Sequence, residues 1–245
     1  LLICVAPIFN FLFSINIVIY ILYNMKTVLV TGASRGLGEL IVNAAILNGY
    51  FVVFTYNKNK KKAQKIYYKN NRKCLPLKLD LNNLKSISKL YKTLKDKKIK
   101  IDFLINNAAV KPKRKNFYKL KNSEIFKTFN INVISVFEMI NKFIRQINKK
   151  KFVKKIINIS SYSSKNGGYK ISHYASSKSA LENLTLSLSK ELFDFNIGIY
   201  CISPYKILIN KLQKNQINNS KIVKMIISLI KKNNIKNSGK IFYIK

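Results

Sequence analysis

The chain has 245 residues, 48% of them apolar, and 46 Lys and Arg against 9 Asp and Glu give it a formal net charge of +37. This length and apolar content fit one α/β domain with a full core and exclude a second large globular unit. Forty-two of the cations are Lys and only 4 are Arg, spread along the whole chain, which excludes the Arg-and-aromatic concentration of a specific nucleic-acid site. The three cysteines, Cys4, Cys74 and Cys201, form no Cys-x-x-Cys pair, and His173 is the only histidine. A disulfide framework and a metal centre are therefore not expected, and a reducing compartment fits.

In chain order, Leu1 to Tyr23 is uncharged and long enough to cross a bilayer. Only Asn24, Met25 and Lys26 separate it from the first core strand, a tether too short to let a domain clear the headgroups. Met25 also stands where a domain would naturally start. Residues 1–24 read as an apolar extension, non-native or disordered, with a membrane anchor or organelle-targeting segment as the alternative. Residues 25–245 read as one domain of a cytoplasmic protein.

From Lys26 onward, short β-branched runs alternate with longer amphipathic stretches, the pattern of strand–helix–strand units on a parallel sheet. Strands are predicted at Thr27 to Thr31, Phe51 to Thr55, Cys74 to Leu79, Ile101 to Ile105, Lys155 to Ser160, Ile197 to Ser203 and Ile241 to Ile244. Helices are predicted at Gly36 to Asn48, Lys58 to Asn70, Leu84 to Lys97, Glu124 to Lys149, His173 to Phe193 and Lys221 to Lys232. Loops fall at Gly167-Gly168 and at Asn215 to Ser220. The fold class is α/β, a Rossmann-like doubly wound parallel sheet of about seven strands with helices on both faces and a ligand crevice at the strand C-termini.

Two stretches carry chemistry. Thr31-Gly32-Ala-Ser34-Arg35-Gly36-Leu37-Gly38 joins the first strand to the first helix, where glycines allow a tight turn and a helix N-terminus faces negative charge. The second strand ends in Thr55-Tyr56-Asn57-Lys58, without the carboxylate that would grip a ribose 2′-hydroxyl. Arg35 stands in the loop, suited to a 2′-phosphate, so NADPH (NADP) is expected over NADH. In the other stretch, Tyr174-Ala-Ser-Ser-Lys178 follows Ser161 by 13 residues. On a helix Lys178 shares a face with Tyr174, and bringing a phenol from its ordinary pKa to near 7 takes about 4 kcal/mol of preferential phenolate stabilisation. Ser161 would donate to a carbonyl while Tyr174 delivers the proton. The spacing alone is weak, since Tyr56/Lys60 and Tyr91/Lys95 repeat it.

These motifs together resemble the short-chain dehydrogenase/reductase family over Lys26 to Tyr243, in the order Thr31–Gly38, Asp80-Leu81, Asn106-Asn107-Ala108-Ala109, Asn132, Ser161 and Tyr174-x-x-x-Lys178. The resemblance implies Tyr174, Lys178, Ser161 and Asn132 as catalytic residues, Asn132 by holding a helix distortion and a relay water. It implies cofactor contacts from Gly32, Ser34, Arg35, Gly36, Leu37, Gly38, Asn57, Asp80, Leu81, Asn106, Ala108 and Ile207, with Lys178 also on the nicotinamide ribose. Within the family the motifs look most like those of reductases acting on 3-oxoacyl groups bound to acyl carrier protein, which implies that partner, fatty acid synthesis and a homotetramer or homodimer built on the two long helices. Alternatives are reduction of a pterin, sugar or other small carbonyl, and a non-catalytic nucleotide-binding scaffold. The chain departs from the family at Tyr205, where glycine is usual, and at Ile209, where threonine is usual.

Overall fold

The computed structural model describes residues 25–71, 73–110, 113–147, 153–205 and 213–245. The strands are β1 (Thr27–Val30), β2 (Phe51–Tyr56), β3 (Cys74–Lys78), β4 (Phe103–Asn106), β5 (Lys154–Ile159), β6 (Ile197–Pro204) and β7 (Ile241–Ile244). The main helices are α1 (Gly36–Leu47), α2 (Lys60–Lys69), α3 (Leu84–Asp96), α4 (Asn122–Phe129), α5 (Ser135–Arg145), α6 (Ser163–Asn166), α7 (Ser172–Glu191) and α8 (Gln213–Lys231).

All seven strands pair in parallel in the order β3-β2-β1-β4-β5-β6-β7. Alternate side chains feed two cores, as the two-residue period of a strand requires. Val28 and Val30 pack under α1 and α8 with Ile41, Val42, Ile222 and Ile226. Leu29 and Leu104 face the other way, onto Ile87, Leu94, Met139, Phe143 and Leu181 of α3, α5 and α7. The strand order reverses between β1 and β4, so the loops after those strands diverge and leave a crevice at their C-terminal ends.

Two expectations change. The predicted helix from Glu124 is broken, because Asn130–Ile134 forms a π-helical turn between α4 and α5, the distortion implied at Asn132; its predicted end at Lys149 lies outside the described residues. Asn215 to Ser220, expected as a loop, lies within α8. Asn and Ser disfavour a helix only weakly, and the buried apolar face of Ile222, Ile226 and Ile230 supplies the stronger drive. Among the described residues no helix is long and apolar enough to cross a membrane.

Lys155 anchors the C-terminal end of α8 to the sheet. It is 1% exposed on β5, and its ammonium donates to the carbonyls of Leu229 and Lys232, two acceptors a helix end leaves unpaired. Burial, with Lys232 and Lys26 nearby, lowers its pKa to about 8. The folded state therefore holds this proton less tightly than the unfolded chain, and the penalty for burying the charge is relieved as pH rises from about 8 toward the ordinary lysine value. Urea unfolding of wild type and Lys155→Met across that window checks this. Wild-type stability should rise relative to the variant with increasing pH; a pH-independent difference refutes the assignment.

Candidate active site

The crevice is built first by the loop between β1 and α1. Gly32 and Gly36 adopt φ of +64° and +60°, a left-handed conformation that glycine adopts without strain. A Cβ on Gly32 would lie 2.7 Å from the Ala108 Cβ, and one on Gly38 would lie 2.6 Å from the Ala33 Cα, so both also require glycine for space. Gly36 has nothing within 4 Å and is required by its backbone angle alone.

Asn107 clips this loop to β4: its side-chain amide donates to the carbonyls of Thr31 at 2.9 Å and Gly32 at 3.2 Å. The Thr31 hydroxyl in turn accepts from the Asn107 and Ala108 N–H groups, each at 3.0 Å. Thr55 holds the far side, accepting from Gly32 N–H at 3.1 Å. Ser34, Leu37 and Gly38 are buried behind the loop. Arg35, at the N-cap of α1, is exposed and makes no side-chain capping bond, which leaves the first helical N–H groups for an anion.

Beside the loop is a cleft of about 160 Å³ lined by Gly32, Thr55, Asn57, Asp80, Leu81 and Ala108, among others. Asp80 accepts from the Asn57 side chain at 3.3 Å and from Asn82 N–H at 3.0 Å. Asn106 does not line the cleft. It is 3% exposed and turns inward, donating to Asn158 at 2.9 Å, and Asn158 donates to Thr185 on α7. Ile207 and Ile209 lie outside the described residues. A larger open groove of about 580 Å³ between α1 and α8, lined by Asn48, Lys224 and Lys231, sits at the C-terminal ends of those helices, opposite the strand ends that carry this chemistry.

Ser161, Tyr174 and Lys178 meet beyond the end of β5. Lys178 is 2% exposed and donates to the Ile159 carbonyl at 2.8 Å, while Ser160 Oγ returns a bond to the Lys178 carbonyl at 3.1 Å. The Lys178 ammonium lies 5.8 Å from the centre of the Tyr174 ring. Tyr174 is 8% exposed, and the Ser161 hydroxyl is near enough to act on its phenol. Ser161 Oγ also accepts from Ser163 Oγ at 2.9 Å, which leaves the Ser161 proton to be given away. Burial lowers the Lys178 pKa to about 8. Burial also raises that of Tyr174, opposed by the neighbouring Ser161 hydroxyl, and desolvation is the larger of the two effects.

Asn132 is fully buried in the π turn. Its amide donates to Ser177 Oγ at 3.0 Å and Val110 O at 3.3 Å, and its carbonyl oxygen accepts Val110 N–H at 2.9 Å. Both amide protons are thus committed to joining the loop after β4 to α7. His173, one residue before Tyr174, is 5% exposed with both ring nitrogens unbonded, and burial lowers its pKa beside Glu124 and Lys115. Thr55, Asn107, Ser163 and Ser177 have no role that spacing reveals. Thr55, Asn107 and Ser177 act on a residue distant in sequence or on the main chain, and Ser163 acts on the Ser161 hydroxyl two residues before it.

Tyr205 does not reach over the loop as a free side chain. Its N–H donates to Ile244 O at 2.8 Å, and its ring packs edge-on against Tyr162 at 5.1 Å. Tyr162 in turn packs against Tyr243 at 6.0 Å, forming an aromatic wall next to Ser161.

Comparison with known proteins agrees with this geometry. The 3-oxoacyl-[acyl-carrier-protein] reductase FabG of Buchnera aphidicola (subsp. Schizaphis graminum) is 34% identical over 181 residues, 73% of this chain and 72% of that protein. The enzyme of the same name from Haemophilus influenzae is 31% identical over 180 residues, covering 73% of each. The 2-dehydro-3-deoxy-D-gluconate 5-dehydrogenase of Dickeya dadantii is 29% identical, over 77% of this chain and 74% of that protein. Among solved structures, a short-chain dehydrogenase from Burkholderia cenocepacia in complex with NADP superposes with a TM-score of 0.79 at 20% identity, covering 90% of this chain and 96% of that one. A family model described as short chain dehydrogenase matches residues 26–220, and this chain belongs to that family of oxidoreductases.

Proposed function

We propose that this protein reduces the 3-oxo group of an acyl thioester carried on acyl carrier protein, using NADPH. The observation that carries the chemistry is the convergence of Ser161, Tyr174 and Lys178 beside a glycine loop whose helix N-terminus is uncapped. The relatives named as 3-oxoacyl-[acyl-carrier-protein] reductases support the substrate.

The residues fit the cofactor. Gly32 and Gly38 leave no room for a Cβ, Gly36 opens onto space, and the end of β2 carries no carboxylate to repel a 2′-phosphate. Gly32, Ser34, Arg35, Gly36, Leu37 and Gly38 would hold it with Asn57, Asp80, Leu81 and Ala108, and Lys178 would bind its nicotinamide ribose. Bound NADPH supplies the hydride. Tyr174 would give its proton to the carbonyl oxygen as the carbonyl carbon is reduced, so that the ketone would become an alcohol. Ser161 donates to the carbonyl oxygen and holds it against Tyr174. Tyr174, a phenol whose pKa burial raises further, is protonated at neutral pH, the form that reduction consumes. Asn132 holds the loop at Val110 against α7 and so sets the inner wall.

A basic surface suits an acidic carrier protein. Phe126, Phe137 and Leu186 on α4, α5 and α7 are 72%, 50% and 45% exposed, apolar surface that supports assembly of copies through these helices. The 29% identity to a sugar-acid dehydrogenase favours a second reading, in which the substrate is a small carbonyl.

NADPH oxidation measured with acetoacetyl carrier protein beside small ketones and keto sugars separates the readings; activity confined to the small substrates removes the first. Tyr174→Phe should cut turnover at least about 100-fold while NADPH binding, followed by fluorescence, is retained. Near-normal turnover in that variant would refute the assigned acid. Reductive kcat/KM should fall as pH rises through about 8, where Lys178 loses its charge. In Lys178→Arg the residual activity should lack this limb, since guanidinium stays charged.

A further inference from the structure

Glu182 stands one helical turn beyond Lys178 on α7, is 8% exposed and takes part in no ion pair among the described residues. A buried carboxylate without a cation has to be satisfied by hydrogen-bond donors. Three hydroxyls provide them: Ser164 and Ser203 donate to Oε1, and Tyr243 donates to Oε2 at 3.0 Å. These donors come from the turn after Ser161, the end of β6 and β7, so one carboxylate joins three segments to α7. Its charge is felt there: after burial, Glu182 is the next cause raising both Cys201 and Tyr243 to about 12.

The link to the chemistry runs through Ser164. Its N–H donates to the Ser161 carbonyl at 2.9 Å, and its hydroxyl stands between that same carbonyl, at 2.6 Å, and the Glu182 carboxylate, so Ser164 couples the Ser161 main chain to Glu182. Ser163 Oγ, one residue away, donates to Ser161 Oγ at 2.9 Å. The turn spans only α6, four residues, and then meets Gly167 at φ +72°. The turn is also tied by Ser179 Oγ, which donates to the Ser164 carbonyl at 2.7 Å, and by Tyr162 N–H, which donates to the Pro204 carbonyl at 2.9 Å, and the Glu182 carboxylate adds a charged acceptor to these ties. We propose that Glu182 is a positioning residue, whose carboxylate holds the turn from Ser161 to Asn166 so that the Ser161 hydroxyl meets the substrate carbonyl beside Tyr174. The inference rests on Ser161 acting as the carbonyl donor.

Glu182→Gln and Ser164→Ala test it, with Ser161→Ala as the reference. In Glu182→Gln, kcat should fall by about 10-fold to 100-fold with NADPH affinity within about twofold of wild type, the scale expected when a reacting group is slightly misplaced. Amide exchange across 161–166 should quicken by about 10-fold or more, while β1 and α1 exchange as in wild type. Ser164→Ala, which leaves Glu182 bonded to Ser203 and Tyr243, should show the same pattern with a smaller fall, and it decides the matter if Glu182→Gln does not fold. If Ser161→Ala loses turnover while the folded variants match wild type, the positioning role is overturned alone. If Ser161→Ala matches wild type, the Ser161 assignment fails and this inference with it. A lowered melting temperature with unchanged kcat and unchanged exchange across 161–166 also overturns it.

Discussion

Lys178 donates to the main-chain carbonyl of Ile159, and the layout of the site follows from that contact. A buried ammonium needs acceptors, and the end of β5 offers one because its pairing with β4 ends at Asn158. Ser160 returns a bond to the Lys178 carbonyl, so α7 and β5 are locked in one register. With that register set, Tyr174 falls one turn earlier on the same helix face, beside the residue that follows Ser160. Asn132 repeats the device on the other side of α7, through Ser177 and the loop at Val110. Two polar clasps thus fix Tyr174 and Lys178 in place, alongside the apolar packing of Leu181 and Leu184 on the same helix.

The parallel sheet was legible in the sequence because each buried strand is a short, β-branched run bounded by turn residues. The glycine loop was legible because two of its positions need positive φ and two exclude a Cβ. The bare Tyr-x-x-x-Lys spacing was not informative, and Tyr91 shows why: its hydroxyl donates to Met139 O at 2.9 Å in the core between α3 and α5, far from any strand end. What separated Tyr174 from Tyr91 was position after β5. The inward turn of Asn106 and the grip of Asn107 on the loop were not legible, since neighbouring asparagines on a strand end point to opposite faces. The knot at Glu182 was hidden for another reason: Ser164, Ser203 and Tyr243 come from three segments that only the fold brings together.

The chain's charge makes its few acids informative. With 9 Asp and Glu against 46 Lys and Arg, a carboxylate has cations in excess everywhere, so pairing alone says little. Several acids nevertheless have definite structural tasks. Asp102 accepts from Thr27 N–H at 2.8 Å and from Lys154, fastening the starts of β1 and β5 together. Glu124 accepts from Lys115 at 2.7 Å and from Lys121 N–H at 3.1 Å, tying the loop after β4 to α4. Glu182 differs from both, because its partners are neutral hydroxyls in a chain crowded with lysines. Hydroxyls bring donors without bringing a second charge that would have to be buried. The cavity around Ser161 is therefore organised without placing another cation next to Lys178.

Burial acts on the two titrating groups in ways that agree with reduction. It raises the Tyr174 pKa, keeping the proton on the phenol, and lowers that of Lys178 to about 8, so the ammonium survives at neutral pH but with little margin. A phenol at its ordinary pKa of about 10 is already protonated at neutral pH, and desolvation moves Tyr174 further in that direction. Ser161 opens a turn that is tied in large part from outside. The aromatic wall of Tyr162, Tyr205 and Tyr243 stands on that same turn, and the hydroxyl of Tyr243 ends on Glu182. Tyr205, the departure from the family's glycine, sets one edge of its ring on Tyr162 and is otherwise 60% exposed. Its bulk thus meets an aromatic ring on one side and solvent on the other, which is how a large side chain is accommodated at a position where the family usually has none.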